Sequence, residues 1–260
     1  MVTGKDKETE IICIFAQSNQ HIINGMKRPD KTLGVLGGMG PAATADFLRV
    51  LAEVTPAHTD QEHPRMIVYS NTITPDRTTF LLGKGPDPTK YIRAGIDQLL
   101  DWGADILCAT CNTAHYFIDK YREEKDFPFV HIIDETIRRS QMVSPNGAWL
   151  TATLGTMKTG LYQQHAEKFG YEFNIPDPNM QVDIHDVTDM VKAGEYDAAG
   201  KKFRGIIEQL WKIKELPVVG ACTEIPIAYA HTGLPMEKSI SCLDSLARGC
   251  VRELYGIYPM

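Results

Sequence analysis

Cys111 and Cys222 each stand where an apolar run gives way to a short polar cluster. The first run is Asp105-Ile-Leu-Cys-Ala-Thr-Cys111-Asn-Thr-Ala-His115 and the second is Leu216-Pro-Val-Val-Gly-Ala-Cys222-Thr-Glu-Ile-Pro226. Each spells a buried parallel strand that delivers a thiol to its carboxyl end, where open α/β sheets bind their ligands. A sulfur just ahead of a helix is also stabilised as thiolate by the helix dipole and by free N–H groups. The two segments occupy corresponding places in two similar halves, so the thiols are expected to oppose one another across one cleft. Opposed thiols suit opposed proton transfers, one group taking a proton from one face of a carbon and the other returning a proton to the opposite face.

Three other signals compete for chemistry. Gly38-Met39-Gly40-Pro41-Ala42-Ala43 fits the G-x-G-x-x-A form of a dinucleotide fingerprint between a strand and a helix. The next strand, Met66-Ile-Val-Tyr-Ser-Asn71, lacks the acidic residue that would hold a ribose, which argues against a nicotinamide cofactor. Two readings of the turn stay open: backbone N–H groups at Met39 and Gly40 cradling a carboxylate, or a tight βα turn. Cys108-x-x-Cys111-x-x-x-His115 resembles half of a zinc site, but no second ligand pair follows at the required spacing, and no metal is expected. Arg77 and Lys192 could each grip a carboxylate, the arginine by a planar fork and the lysine as a point charge. Their spacing alone does not set them apart from solvated surface charges.

The elements that would position these residues alternate. Strands are expected at 32–37, 65–70, 105–111, 129–133, 148–154, 171–175 and 216–222. Helices are expected at 42–54, 88–102, 113–125, 159–169 and 182–192, along the apolar stripe Phe203, Ile206, Ile207, Leu210 and Trp211, and at 242–255. That rhythm predicts an α/β fold of two parallel sheets built from βαβ units. The expected division is an N-terminal extension over 1–30, a first lobe of 31–133 plus 236–260, and a second lobe of 134–235. The final helix has no strand of its own in this reading and is expected to pack back on the first lobe.

Bulk properties narrow the classes further. The chain has 260 residues, 43% of them apolar, and a net charge of −6 without a basic block, which disfavours a nucleic-acid surface. No apolar run approaches the roughly 18 to 20 residues needed to cross a bilayer, and the opening segment lacks the pattern of a secretory signal. Six cysteines are too few for a disulfide scaffold of this size, so a reducing cytoplasm is expected. Cys13, Cys108, Cys242 and Cys250 are read as small buried hydrophobes.

With these residues in view, the chain resembles the cofactor-independent aspartate racemases of the aspartate/glutamate racemase superfamily. The matching segments are Leu36-Gly-Gly-Met-Gly-Pro41, Pro75-Asp-Arg-Thr78, Cys111-Asn-Thr-Ala-His115, Gly155-Thr156, Lys192-Ala-Gly194 and Cys222-Thr-Glu-Ile-Pro226. The resemblance implies two similar Rossmann-like lobes, an interlobe active-site cleft, a homodimer, no cofactor and an acidic amino acid as substrate. It raises Arg77 and Lys192 to expected carboxylate ligands, with Asn112, Thr113, Thr156, Thr223 and Glu224 completing the cradle. It also implies that Cys111 serves the D-enantiomer and Cys222 the L-enantiomer. Two positions depart from the family pattern: Thr110 stands where proline is common, and Ala221 where glycine is common. The rivals are a same-fold isomerase or decarboxylase of a dicarboxylic acid and a non-catalytic binding protein for acidic amino acids.

Overall fold

The computed structural model describes residues 27–257. The extension expected over 1–30 lies, apart from its last four residues, outside the described residues, as does Cys13.

In the first half, β1 (Thr32–Gly37) leads through α1 (Pro41–Val54) to β2 (Arg65–Ser70). Two helices follow, the short α2 (Arg77–Leu81) and α3 (Thr89–Asp101), before β3 (Ile106–Ala109), α4 (His115–Glu124) and β4 (Phe129–Val130). A connecting helix, α5 (Ile132–Val143), then enters the second half. There β5 (Ala148–Thr151) is followed by α6 (Leu154–Thr159), α7 (Leu161–Phe169), β6 (Phe173–Asn174), α8 (Pro178–Lys192) and α9 (Tyr196–Ile213). The chain continues as β7 (Val218–Gly220), α10 (Ile225–Ala230), β8 (Ser239–Ser241) and α11 (Cys242–Tyr255).

All pairings are parallel and the two sheets share one topology, β2-β1-β3-β4 and β6-β5-β7-β8. The central strands are buried on both faces, as parallel sheets with helices on each side require. Strands β3 and β7 are therefore equivalent, and each ends just before its cysteine.

Several boundaries differ from expectation for local reasons. The strand expected to run to Ile133 stops at Val130, because His131 turns to cap α5 by accepting the Asp134 N–H. The single helix expected over 159–169 is two helices parted at Gly160 (φ 65°), and Thr153 caps the first, so Gly155-Thr156 is helical and not a turn. Helix α8 begins four residues early, since Asp177 caps it and Pro178 fits its first turn.

The last helix does have a strand before it. The residues expected in the first lobe at 236–260 divide: Ser239–Ser241 forms the edge of the second sheet, whereas α11 packs on α1 of the first. Helix α5, which follows the first sheet, packs on α7 of the second, and α5 and α11 lie against each other. One apolar cluster consequently runs through both halves, joining Leu33, Val35 and Phe47 to Leu150, Tyr162 and Ile240 by way of Ile133, Leu246 and Val251.

Candidate active site

Cys111 and Cys222 leave β3 and β7 two residues beyond each strand and line one small cavity between the halves. The first half contributes Met39 from the turn after β1, Asp76, Arg77 and Thr78 at the start of α2, and Asn112 and Thr113 beside the thiol. The second contributes Thr153 after β5, Lys192 at the end of α8, and Thr223 and Glu224. The cavity encloses about 10 Å³, which is room for a single water.

Local folding explains these placements. Gly38 takes φ +84°, and a Cβ there would lie 2.5 Å from the Asn71 nitrogen, so only glycine lets the β1 turn pass this close to the end of β2. Asp76 caps α2 by accepting from the Thr79 N–H and hydroxyl, which sets Arg77 at the first helical position pointing inward. Arg77 is 8% exposed. Its Nη2 donates to the Met39 carbonyl at 2.7 Å and its Nη1 to the Pro75 carbonyl at 3.2 Å, while its buried Nε has no partner. An unpaired buried donor of this kind costs about 1–3 kcal/mol, and a carboxylate oxygen would relieve it.

The two thiols sit in different fields. Burial, and then the adjacent Glu224 carboxylate, push the Cys222 thiol well above its ordinary pKa, against the opposing pull of Lys192. Its Sγ donates to Glu224 Oε2 at 2.9 Å, and the Thr223 hydroxyl donates to the same oxygen at 3.2 Å. Burial works against the charge on Lys192, but Cys222, Glu224 and Asp189 together raise its pKa. The Arg77 guanidinium lies beside the Cys111 sulfur: its pKa is raised although burial opposes it, with Cys111 the largest favourable influence and Asp76 next.

Not every expected cradle residue presents a free group. Asn112 borders the cavity, but its amide donates to Cys242 Sγ at 3.3 Å and accepts from the Tyr162 hydroxyl at 2.7 Å, which holds it toward the core. Cys242 thus does more than fill space, and burial pushes its pKa up to about 12. The hydroxyls of Thr113, Thr153 and Thr156 bond one another at 2.8–3.1 Å, with Thr156 behind the other two. Gly40 meets the site by its smoothness, since a Cβ there would lie 2.8 Å from Glu224 Oε1.

Asp76, Thr78 and Thr153 line the cavity without having been picked out by the sequence. The internal repeat could have found Thr153, which follows β5 as Met39 follows β1. The two departures from the family pattern are absorbed. Ala221 is buried and donates its N–H to the Thr151 carbonyl, and no non-glycine residue among those described has positive φ. The Thr110 hydroxyl shares a 3.0 Å bond with Thr44.

Two like lobes with a thiol at the same strand end of each define a two-lobed α/β enzyme of the racemase type. The chain belongs to the Asp/Glu/Hydantoin racemase family, whose profile matches residues 36–248, and it is an isomerase. An aspartate racemase from Picrophilus torridus superimposes with a TM-score of 0.75 at 26% identity, covering 87% of this chain and 94% of that one. The broad specificity amino-acid racemase RacX of Bacillus subtilis (strain 168) is 24% identical over 81% of this chain and 94% of its own length. A glutamate racemase from Corynebacterium kroppenstedtii is 30% identical over 62% of this chain and 57% of its own.

Proposed function

We propose that this enzyme interconverts the enantiomers of an acidic amino acid, aspartate in preference, by passing protons between the α-carbon and two cysteines without a cofactor. The observation that carries the reading is that Cys111 and Cys222, from equivalent strand ends, line one cavity with the buried Arg77 beside the first and the partly exposed Lys192 near the second. Arg77 and Lys192 supply two positive charges for the two carboxylates of a diacid, and the unpaired Nε of Arg77 is a ready donor to one of them.

In one direction, the Cys111 thiolate takes the α-proton and becomes a thiol. The electron pair left on Cα spreads into the adjacent carboxylate, and the Cys222 thiol delivers its proton to the opposite face, ending as thiolate. A single base would tend to restore the original hand, so inversion needs both sulfurs. Burial and then Glu224 favour the protonated form of Cys222, the form that acts as the acid in the direction expected for the D-enantiomer.

An amino-acid α-proton is less acidic than a thiol by roughly ten units or more, at about 1.4 kcal/mol per unit, so thiolate basicity alone does not drive the step. The carbanion must form among preorganised donors, here Arg77, Lys192 and the threonine hydroxyls. The cavity is smaller than any amino diacid, so binding must part its walls, and closing over the substrate then excludes water. Assembly as a homodimer is part of the same proposal and is read by sedimentation equilibrium.

Incubation of Cys111→Ala and Cys222→Ala with each aspartate enantiomer in D₂O tests the mechanism. Loss of a general acid or base is expected to lower racemisation on the order of 10²–10⁴-fold. Exchange of the α-proton should survive, where it survives at all, from one enantiomer only in each variant. Full racemisation by both variants would sink the two-thiol mechanism.

A further inference from the structure

A second cavity, of about 720 Å³, shares no lining residue with the cysteine site. Three of the side chains that line it come from different parts of the fold: Asp119 on α4, His131 at the cap of α5, and His165 on α7. His131 Nε2 lies 3.0 Å from Asp119 Oδ1, and His165 Nε2 lies 3.5 Å from Asp119 Oδ2. The two imidazoles are stacked with centroids 4.6 Å apart. One potential ligand atom from each residue falls within 4.8 Å of the other two, and among the described residues no other three histidine, cysteine or carboxylate side chains form such a group.

Two imidazole nitrogens and one carboxylate oxygen make the three-ligand set of open zinc sites, which leave a fourth position to water or another ligand. Around a tetrahedral zinc the ligand atoms stand about 3.3 Å apart, given metal–nitrogen distances of about 2.0–2.1 Å. The trio therefore closes on an ion by drawing its farthest atoms together by up to about 1.5 Å. An orienting second layer is present for His165, whose Nδ1 lies 2.6 Å from Asp134 Oδ1. That contact directs Nδ1–H to the carboxylate and leaves Nε2 for a metal, as carboxylate–histidine–zinc arrangements do. His131 Nδ1 accepts a long 3.4 Å bond from the Asp134 N–H. With a metal at Nε2 the proton moves to Nδ1, which gives up that capping bond and turns toward the Asp134 carboxylate, now 3.9 Å away.

The geometry points to a site for a divalent transition-metal ion, zinc by its donor set, at Asp119, His131 and His165. Such an ion would tie α4 of the first half to α7 of the second through the start of the connecting helix α5. Because the cysteine cavity opens between those halves, the tie would stiffen the motion that admits substrate. The site is independent of the chemistry at the cysteines.

The test uses the full chain with Cys111→Ala and Cys222→Ala, so that neither active-site thiol competes for metal. After dialysis against micromolar zinc, elemental analysis should find one zinc per chain retained, with a raised Tm. Cobalt(II) should give visible d–d bands without a sulfur-to-cobalt charge-transfer band. Asp119→Asn and His165→Gln should each weaken zinc binding at least tenfold. His231→Ala, at an exposed histidine paired with Asp197 elsewhere, should bind as before. Metal-free melting curves establish that each variant is folded, and Asp119→Asn, at the least buried ligand of the trio to lose only its charge, suffices if His165→Gln is not. No zinc retained by the parent, or equal retention by parent and folded ligand variants, would overturn the assignment.

Discussion

Cys222 donates to the Glu224 carboxylate at 2.9 Å, while Cys111 has a guanidinium beside it. Burial comes first in raising the Cys222 pKa and Glu224 second, so Glu224→Gln should make this thiol more acidic. In a Cys111→Ala background, iodoacetamide is expected to label Cys222 several-fold faster at pH 8; unchanged or slower labelling would count against a charge effect. The sign for stability follows from linkage. Well below the ordinary thiol value of 9.0 both folded and unfolded chains hold the proton. Above it the unfolded chain ionises first, so the wild-type fold loses stability as pH rises, and Glu224→Gln should flatten that alkaline loss. Both cysteines were legible because a thiol after an apolar run is a rare pattern. Arg77 was legible only through a motif, since its inward direction depends on the Asp76 cap. Thr78 and Thr153 were not, because a hydroxyl at the start of a helix is common and only tertiary contact brings these two to one wall.

Helices α5 and α11 are fastened by a buried ion pair. Arg252 on α11 donates through both terminal nitrogens to Glu135 on α5, at 2.6 and 3.0 Å, and Glu135 is 3% exposed. Gly249 makes room for it, since a Cβ there would lie 2.5 Å from Glu135 Cγ. Arg252→Ala leaves the buried carboxylate to Arg138, at 3.6 Å, and is expected to cost about 1–3 kcal/mol in urea unfolding, below a fully buried pair because the arginine is partly exposed and Arg138 remains. An apolar pair, Glu135→Leu with Arg252→Leu, should recover most of the loss; if it does not, the arginine acts by packing and not by pairing. Periodicity revealed α11 itself, whose apolar face repeats at helical spacing. The strand before it, Ser239–Ser241, escaped notice because three residues, two of them serine, carry no alternation to read. Strands β4 and β6 were expected but are only two residues long, because the length of their pairing is set by the neighbouring strand and not by their own composition.

Across the whole molecule, alternation of strands and helices was enough to predict two parallel sheets. The return of the last helix to the first half was expected, whereas the linking helix α5 was not read from the sequence. Gly155 shows the closeness required: a Cβ on α6 would come within 2.9 Å of the Thr78 Cα on α2, so the two halves touch backbone to side chain at the rim of the cavity. The crossed helices have a further consequence. Each half lends its last helix to the other, α5 to α7 and α11 to α1, so a chain severed between the exposed Pro145 and Asn146 would yield two pieces that each lack their own cover. Apart, these pieces should clump, with raw greasy flanks in water. Co-expressed, they should clasp and regain turnover of substrate, whereas a lone piece that stays monomeric and cooperatively folded would mean that the loan is dispensable.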